Sequence, residues 1–202
     1  MNNDYFNYIK FVNDLTSILS IGYYYEYSFK VIEKRICNSA YFSCFNKEIL
    51  TSIAYKDTNS LIKDFYYDIG VCEKPTNFEY KEFEWVSMIY INIIKNTSLN
   101  FETIFCYLPI EKALAMFEIY HELDMNKMID YFVEERKKAS IISKRMKSLG
   151  LTIGFVSNEC GLSSSMIGAL KNRKKDIKKL GFESAIKLSK ILQISCETLL
   201  NN

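Results

Sequence analysis

Residues 151–172 read LTIGFVSNECGLSSSMIGALKN. Thr152 is a side-chain cap for a short helix, and Phe155 and Val156 are its inward positions. Ser157 is small where two helices must approach closely. Gly161 can take the left-handed conformation that a tight turn demands. Leu162 is placed to plug the core beneath that turn. Ser163 caps a second helix, whose Ile167 and Leu170 face inward. A small residue, a glycine four positions on and a branched apolar residue six after that form a demanding spacing. It specifies two short helices joined by a tight turn.

The flanks extend the pattern. Upstream, ASIISKRMKSLG (139–150) supplies a preceding helix with Ile142 and Met146 inward. Downstream, KKDIKKLGFESAIKLSKILQISCETLL (174–200) supplies a basic loop, a helix with Ala185, Leu188 and Leu192 inward, and a short last helix after Ser195. Together these segments, about one third of the chain, resemble the helix-turn-helix domain of the Cro/C1 repressor-like (XRE-like) family.

The resemblance implies a five-helix domain that lays its second motif helix in the major groove of double-stranded DNA, in a bacterial transcriptional regulator, most simply a repressor. It assigns base-edge contact to Ser164, Ser165 and Ala169, with Met166 alongside. Thr152 and Ser163 stand at the helix starts facing DNA. The basic stretch that follows offers Lys171, Asn172, Arg173, Lys174 and Lys175 to phosphates. Read without the resemblance, that stretch is a solvated loop.

This chain also departs from the family. Ile153 stands where the family often carries a phosphate-gripping Gln. Gly154 and Gly168 lie inside helices, each costing up to about 1 kcal/mol against Ala. Serine discriminates weakly among bases, and alanine offers only contact to a thymine methyl. The expectation is therefore a modest base reader that gains selectivity from DNA shape and from a dimer spanning two half-sites.

Charge and aromatic content divide the chain at one point. Residues 136–202 hold 14 Lys/Arg and 4 Asp/Glu, whereas residues 1–135 hold 12 Lys/Arg and 20 Asp/Glu. After residue 135 the aromatics are Phe155 and Phe182 alone, against 30 in the whole chain. The reading is two domains, 1–135 acidic and aromatic-rich, and 136–202 basic. With 49% apolar residues, seven Gly and two Pro, the class is all-α, a helical bundle followed by the helix-turn-helix domain.

Within residues 4–19, Phe6, Ile9, Val12, Leu15 and Leu19 fall at helical spacing, and within 23–37 so do Tyr24, Phe29, Ile32 and Ile36. Shorter helices are expected near 46–55 and 59–68, and a loop at 70–77, where Gly70 and Pro75 stand. Residues 78–96 read as a strong helix with Phe83, Val86, Tyr90 and Ile93 on one face. A short helix follows in NFETIFCYL, and Pro109 suits the first position of the next. Asp124 is a cap for a run without Gly or Pro up to Gly150. That run is either one long helix or two helices meeting near 135–139. Residues 82–132 also resemble a helical segment of uncharacterised bacterial proteins that accompany toxin-like genes. No activity carries over from that likeness.

Enzyme chemistry finds little footing. His121 is the single histidine, near Glu118, Glu122 and Asp124, with no Cys pair near it to build a metal site. The six cysteines (37, 44, 72, 106, 160, 196) show no C-x-x-C and read as reduced thiols of a cytoplasmic protein. No motif surrounds any of them. Acid pairs such as Glu82/Glu84 and Glu134/Glu135 read as solvated helix faces. There is no glycine-rich phosphate loop, no membrane span, no leader pattern and no implied cofactor. The aromatic run GYYYEYSF (22–29) reads as core with hydroxyls reaching solvent; an interaction surface is the alternative. The expected function is a DNA-binding regulator that dimerises through residues 1–135. The alternative is an antitoxin- or inhibitor-type module that binds a protein partner, its helix-turn-helix only autoregulating.

Overall fold

The computed structural model describes residues 3–43, 57–68 and 81–201, without the side chains of residues 3–6. The helix expected near 46–55, the loop at 70–77, Cys44, Cys72 and the Phe6 side chain lie outside them. Among the described residues the chain is all-α, with 14 α-helices, one short 3-10 helix and no strand. It divides into two compact units, 1–129 and 130–202. The division falls inside a helix, Met125–Lys138, rather than after residue 135. Charge changes sign where the surface changes; packing separates where side chains stop sharing a core, and the two need not coincide.

The N-terminal unit is built on α1 (Asn3–Tyr24), α2 (Phe29–Asn38), α3 (Ala40–Ser43), α4 (Thr58–Phe65), α5 (Lys81–Thr97), α6 (Phe101–Tyr107), α7 (Ile110–Ala115) and α8 (Phe117–Tyr120). Its main packing is α1 against α5. On α1 the buried face is Phe11, Val12, Leu15, Ile18, Leu19 and Ile21, while Ile9, expected inward, is 40% exposed. The true stripe is rotated from the expected one because Phe11 and Ile18 are the residues that reach the neighbours. Helix α5 carries Phe83, Val86, Tyr90 and Ile93 inward as expected, but Trp85, Ile89, Ile91 and Ile94 are buried too. A helix apolar nearly all round is a central one.

Side-chain hydrogen bonds join separate segments of this unit. Asp14 is fully buried and accepts from Lys10 Nζ (2.7 Å), from Thr58 Oγ1 (2.7 Å) and from the Tyr41 hydroxyl. This carboxylate thereby ties α1 to α3 and to the start of α4. Gly22 is buried on α1 where Ile32 and the Tyr66 hydroxyl press against the backbone, and that hydroxyl donates to Ile18 O at 2.6 Å. The run 22–29 splits: Tyr23 and Tyr24 are 54% and 52% exposed, whereas Tyr27 packs on Tyr66 with ring centroids 5.3 Å apart. The core reading therefore fails for Tyr23 and Tyr24. Pro109 is the N-cap of α7 rather than its first residue, and the expected single helix breaks at Met116 into α7 and α8.

The run after Asp124 resolves into two helices, α9 (Met125–Lys138) and α10 (Ile141–Ser148), with Ser140 capping the second. Asp124 Oδ1 accepts from Asn126 N at 2.9 Å. In the C-terminal unit follow α11 (Ile153–Cys160), α12 (Ser164–Lys171), the 3-10 turn Ile177–Lys179, α13 (Phe182–Leu192) and α14 (Cys196–Leu200). Its core is Ile141, Ile142, Met146, Val156, Cys160, Ile167, Leu170, Ala185, Leu188, Leu192 and Leu199, all buried. Phe155, read as inward, is 50% exposed; Val156 and Cys160 take the interior positions of α11 instead.

Candidate nucleic-acid interface

Four successive helices of the C-terminal unit end in the same way. After α10, α11, α12 and α13 stand Gly150, Gly161, Arg173 and Gln193, with φ of 65°, 67°, 54° and 53°. In each case the next residue donates its N–H five positions back: Leu151 to Met146 O (2.8 Å), Leu162 to Ser157 O (3.2 Å), Lys174 to Ala169 O (2.8 Å) and Ile194 to Ser189 O (3.0 Å). This is the Schellman arrangement, which closes the last carbonyls of a helix and turns the chain sharply. Two of these sites carry glycine, as the geometry favours; the other two hold a left-handed Arg and Gln at a cost of about 1 kcal/mol or more each.

The turn between α11 and α12 is fixed from both sides. Thr152 caps α11, accepting from Phe155 N at 3.2 Å, and Ser163 caps α12, accepting from Met166 N at 3.2 Å. Both residues are exposed, and both hydroxyl oxygens accept from the backbone. Ser164 and Ser165, in the first turn of α12, are exposed; Met166 and Ala169 are half-buried. Ile167 and Leu170 anchor the opposite face in the core. The N-terminal end of α12 thus presents small polar groups and the positive end of the helix dipole to solvent.

At the far end of α12, Lys171 is half-buried and its carbonyl accepts from Ser140 Oγ at 2.6 Å. Asn172 is the C-cap and is exposed, as are Lys174 and Lys175. Lys178 and Lys179 continue the exposed basic stretch. Arg173 is placed differently from its lysine neighbours. Its Nη2 donates to Arg136 O at 2.7 Å and to Ala139 O at 3.2 Å. The guanidinium caps the C-terminal end of α9, where a cation is favoured. Arg145 does the same for α13, its Nε and Nη2 donating to Leu192 O (2.9 Å) and Gln193 O (3.2 Å).

The structure brings Thr152, Ser163, Ser164, Ser165, Met166 and Ala169 together around one exposed turn and helix. It sets Lys171, Asn172, Arg173, Lys174 and Lys175 at the end of that helix, with Arg173 exposed and its Nη2 bonded to carbonyls at the end of α9. The structural roles of Ser140 and Arg145 escape sequence reading, because both reach partners about 30 or more positions away and follow no periodicity. Ser189 Oγ lies 3.1 Å from Cys196 Sγ. Cys160 is buried, and burial, reinforced by Glu159, pushes its thiol above the usual range. That favours an inert thiol. His121 stacks on Phe117 with centroids 4.6 Å apart, and its Nδ1 lies 2.9 Å from Phe117 O. Among the described residues no three His, Cys, Asp or Glu side chains converge on a common point. Glu134 pairs with Lys137, and Glu135 with Lys138 and Lys144. No helix among the described residues is long and apolar enough to cross a membrane. No protein-family model, no curated protein and no solved structure matches this chain.

Proposed function

We propose that the chain is a DNA-binding transcriptional regulator of the Cro/C1 helix-turn-helix type, acting as a repressor. Its basic C-terminal unit lays α12 in the major groove, and its N-terminal unit pairs two copies. The observation that carries this reading is the build of α12. One face is anchored by Ile167 and Leu170, the first turn offers Ser164 and Ser165 to solvent, and the far end runs into exposed Lys174 and Lys175. Short side chains let a helix sit deep in a groove, and the lysines suit the phosphates on either side. Base discrimination comes from weak serine and alanine contacts, multiplied by two linked half-sites.

Full-length protein titrated with selected and random duplexes across salt tests this. Binding should weaken steeply with salt, log K falling by about 0.9 per log unit of salt for each phosphate neutralised. Salt-insensitive binding, or none at low salt, ends the regulator reading. A second reading, a protein-binding antitoxin or inhibitor, draws on exposed Tyr23 and Tyr24 in the N-terminal unit. A stoichiometric partner that co-purifies on residues 1–135 and blocks no DNA site favours it.

A further inference from the structure

We infer that Phe182, the first residue of α13, is a wedge that enters a base step of the bound duplex and selects steps that unstack easily. The inference rests on the DNA reading of the C-terminal unit and adds a means of discrimination that α12 does not supply.

After residue 135 the chain carries two aromatic side chains, Phe155 and Phe182, and neither is in the core: they are 50% and 82% exposed. Aliphatic side chains fill that interior, with Met146 and Cys160. The N-terminal unit does the reverse and buries Phe11, Phe42, Tyr66, Trp85, Tyr90 and Tyr107. Packing therefore gives no reason for a phenylalanine at 182. Gly181 beside it has no heavy atom within 4 Å of an added Cβ, so bare, open backbone adjoins the ring.

The neighbouring charges select the partner. Lys174, Lys175, Lys178 and Lys179 precede the ring and are exposed, while buried Ile177 ties their stretch to the core. The two acids there are engaged within the protein. Asp176 Oδ1 accepts from Lys178 N at 2.9 Å, and Glu183 Oε1 lies 2.7 Å from Lys187 Nζ. A bare ring after four cations complements a polyanion that also has apolar faces, and nucleic acid combines phosphates with stacked rings. An acidic protein surface offers the charge without the rings. An apolar side chain driven between base pairs kinks the duplex, and pyrimidine–purine steps yield most readily. Selectivity then arises where Ser164, Ser165 and Ala169 give little.

The test uses the full chain and a duplex that it selects from a random pool, with 2-aminopurine placed at each adenine in turn. Fluorescence should rise at one pyrimidine–purine step on binding. Phe182→Ala should abolish the rise and weaken binding about tenfold, the worth of one stacked base. Its melting temperature and salt slope should match the parent's, since the ring is exposed and meets no phosphate. Phe182→Leu keeps an apolar wedge and should keep most of the rise. Replacing the step by a stiff AA step should weaken the parent about tenfold and Phe182→Ala hardly at all. A parent that binds no duplex overturns this inference together with the regulator reading. A parent that binds with a steep salt slope but shows no rise overturns the wedge alone. So does a Phe182→Ala protein that keeps the preference for the step, or that melts lower than the parent. A Phe182→Ala protein that keeps the rise but loses a dimer in light scattering assigns the ring to a contact between copies, which also overturns the wedge.

Discussion

Ser157 and Leu162 are bonded to each other twice around Gly161. The Ser157 hydroxyl donates to Leu162 O at 2.5 Å, and Leu162 N–H donates back to Ser157 O at 3.2 Å. The serine is therefore more than a small residue at a helix crossing; it clamps the turn. Ser157→Ala should lower stability by about 1 kcal/mol, the usual net worth of one hydrogen bond. Urea unfolding of the variant checks this, and a midpoint equal to the parent's would deny the clamp.

Glycines in the same motif should respond to alanine with opposite signs. Neither Gly161 nor Gly168 has a heavy atom near the position of an added Cβ. At Gly161 the left-handed backbone alone sets the outcome, a loss of about 1–2 kcal/mol. At Gly168, inside α12, alanine should gain about 0.5–1 kcal/mol. The DNA reading adds a second expectation for Gly168→Ala: tighter folding with weaker binding, if the helix must sit deep in the groove. Thermal melts and duplex titration of one preparation read both.

In the N-terminal unit Gly22 should tolerate no side chain. An added Cβ would collide with the Tyr66 hydroxyl and with Ile32 Cδ1. Gly22→Ala should cost about 1–3 kcal/mol through overpacking. Combining it with Tyr66→Phe should recover part of the loss, because the clashing hydroxyl is gone. Additive losses in the double variant would place the strain elsewhere.

Arg35 grips Asp68 with two hydrogen bonds, Nη1 to Oδ1 at 3.1 Å and Nη2 to Oδ2 at 2.8 Å, and its guanidinium lies 4.6 Å from the centre of the Tyr27 ring. The Arg35 hydrogen bond, helped by Tyr27, holds the Asp68 carboxyl down at about 2. Because the folded value lies below the unfolded one of about 3.9, the pair's stabilisation is complete above pH 4. It fades as pH falls from there through 2. Asp68→Asn should flatten the pH dependence of the urea midpoint across that window and leave its slope above pH 5 unchanged.

For the groove, Ala169→Glu should abolish duplex binding, since it adds a carboxylate among phosphates. Lys174→Ala and Lys175→Ala should weaken all sequences alike and reduce the salt slope by about 1 each. Arg173→Ala should differ from both, lowering the melting temperature by loosening the junction of α9 and α10. Filter binding and melting of the same set separate these effects; an Arg173→Ala protein with parental stability would remove the capping role.

What local chemistry dictates was readable beforehand. The all-α class, the caps at Thr152 and Ser163 and the left-handed Gly161 follow from spacing and residue type. So does the inward set Val156, Ile167, Leu170, Leu188 and Leu192. Long-range hydrogen bonding was not readable. Arg173 looks like one more cation in a basic run, and only the fold brings it to the carbonyls of α9. Phe155 misleads for the opposite reason: hydrophobicity suggests burial, yet α11 turns its 156 and 160 positions inward. The bonding of buried Asp14 was likewise hidden, since Tyr41 and Thr58 reach it from other segments.

Helix α5 has almost no face that meets water. Backbone amides near Ile89–Ile91 are shielded by their own helix and by the side chains around it, so no small fluctuation admits solvent to them. Their exchange with deuterium should proceed only through complete opening of the N-terminal unit, as expected for amides buried deepest in a cooperative core. The same chain would then report on itself: the slowest amides of α5 would measure the unit's total stability without any denaturant.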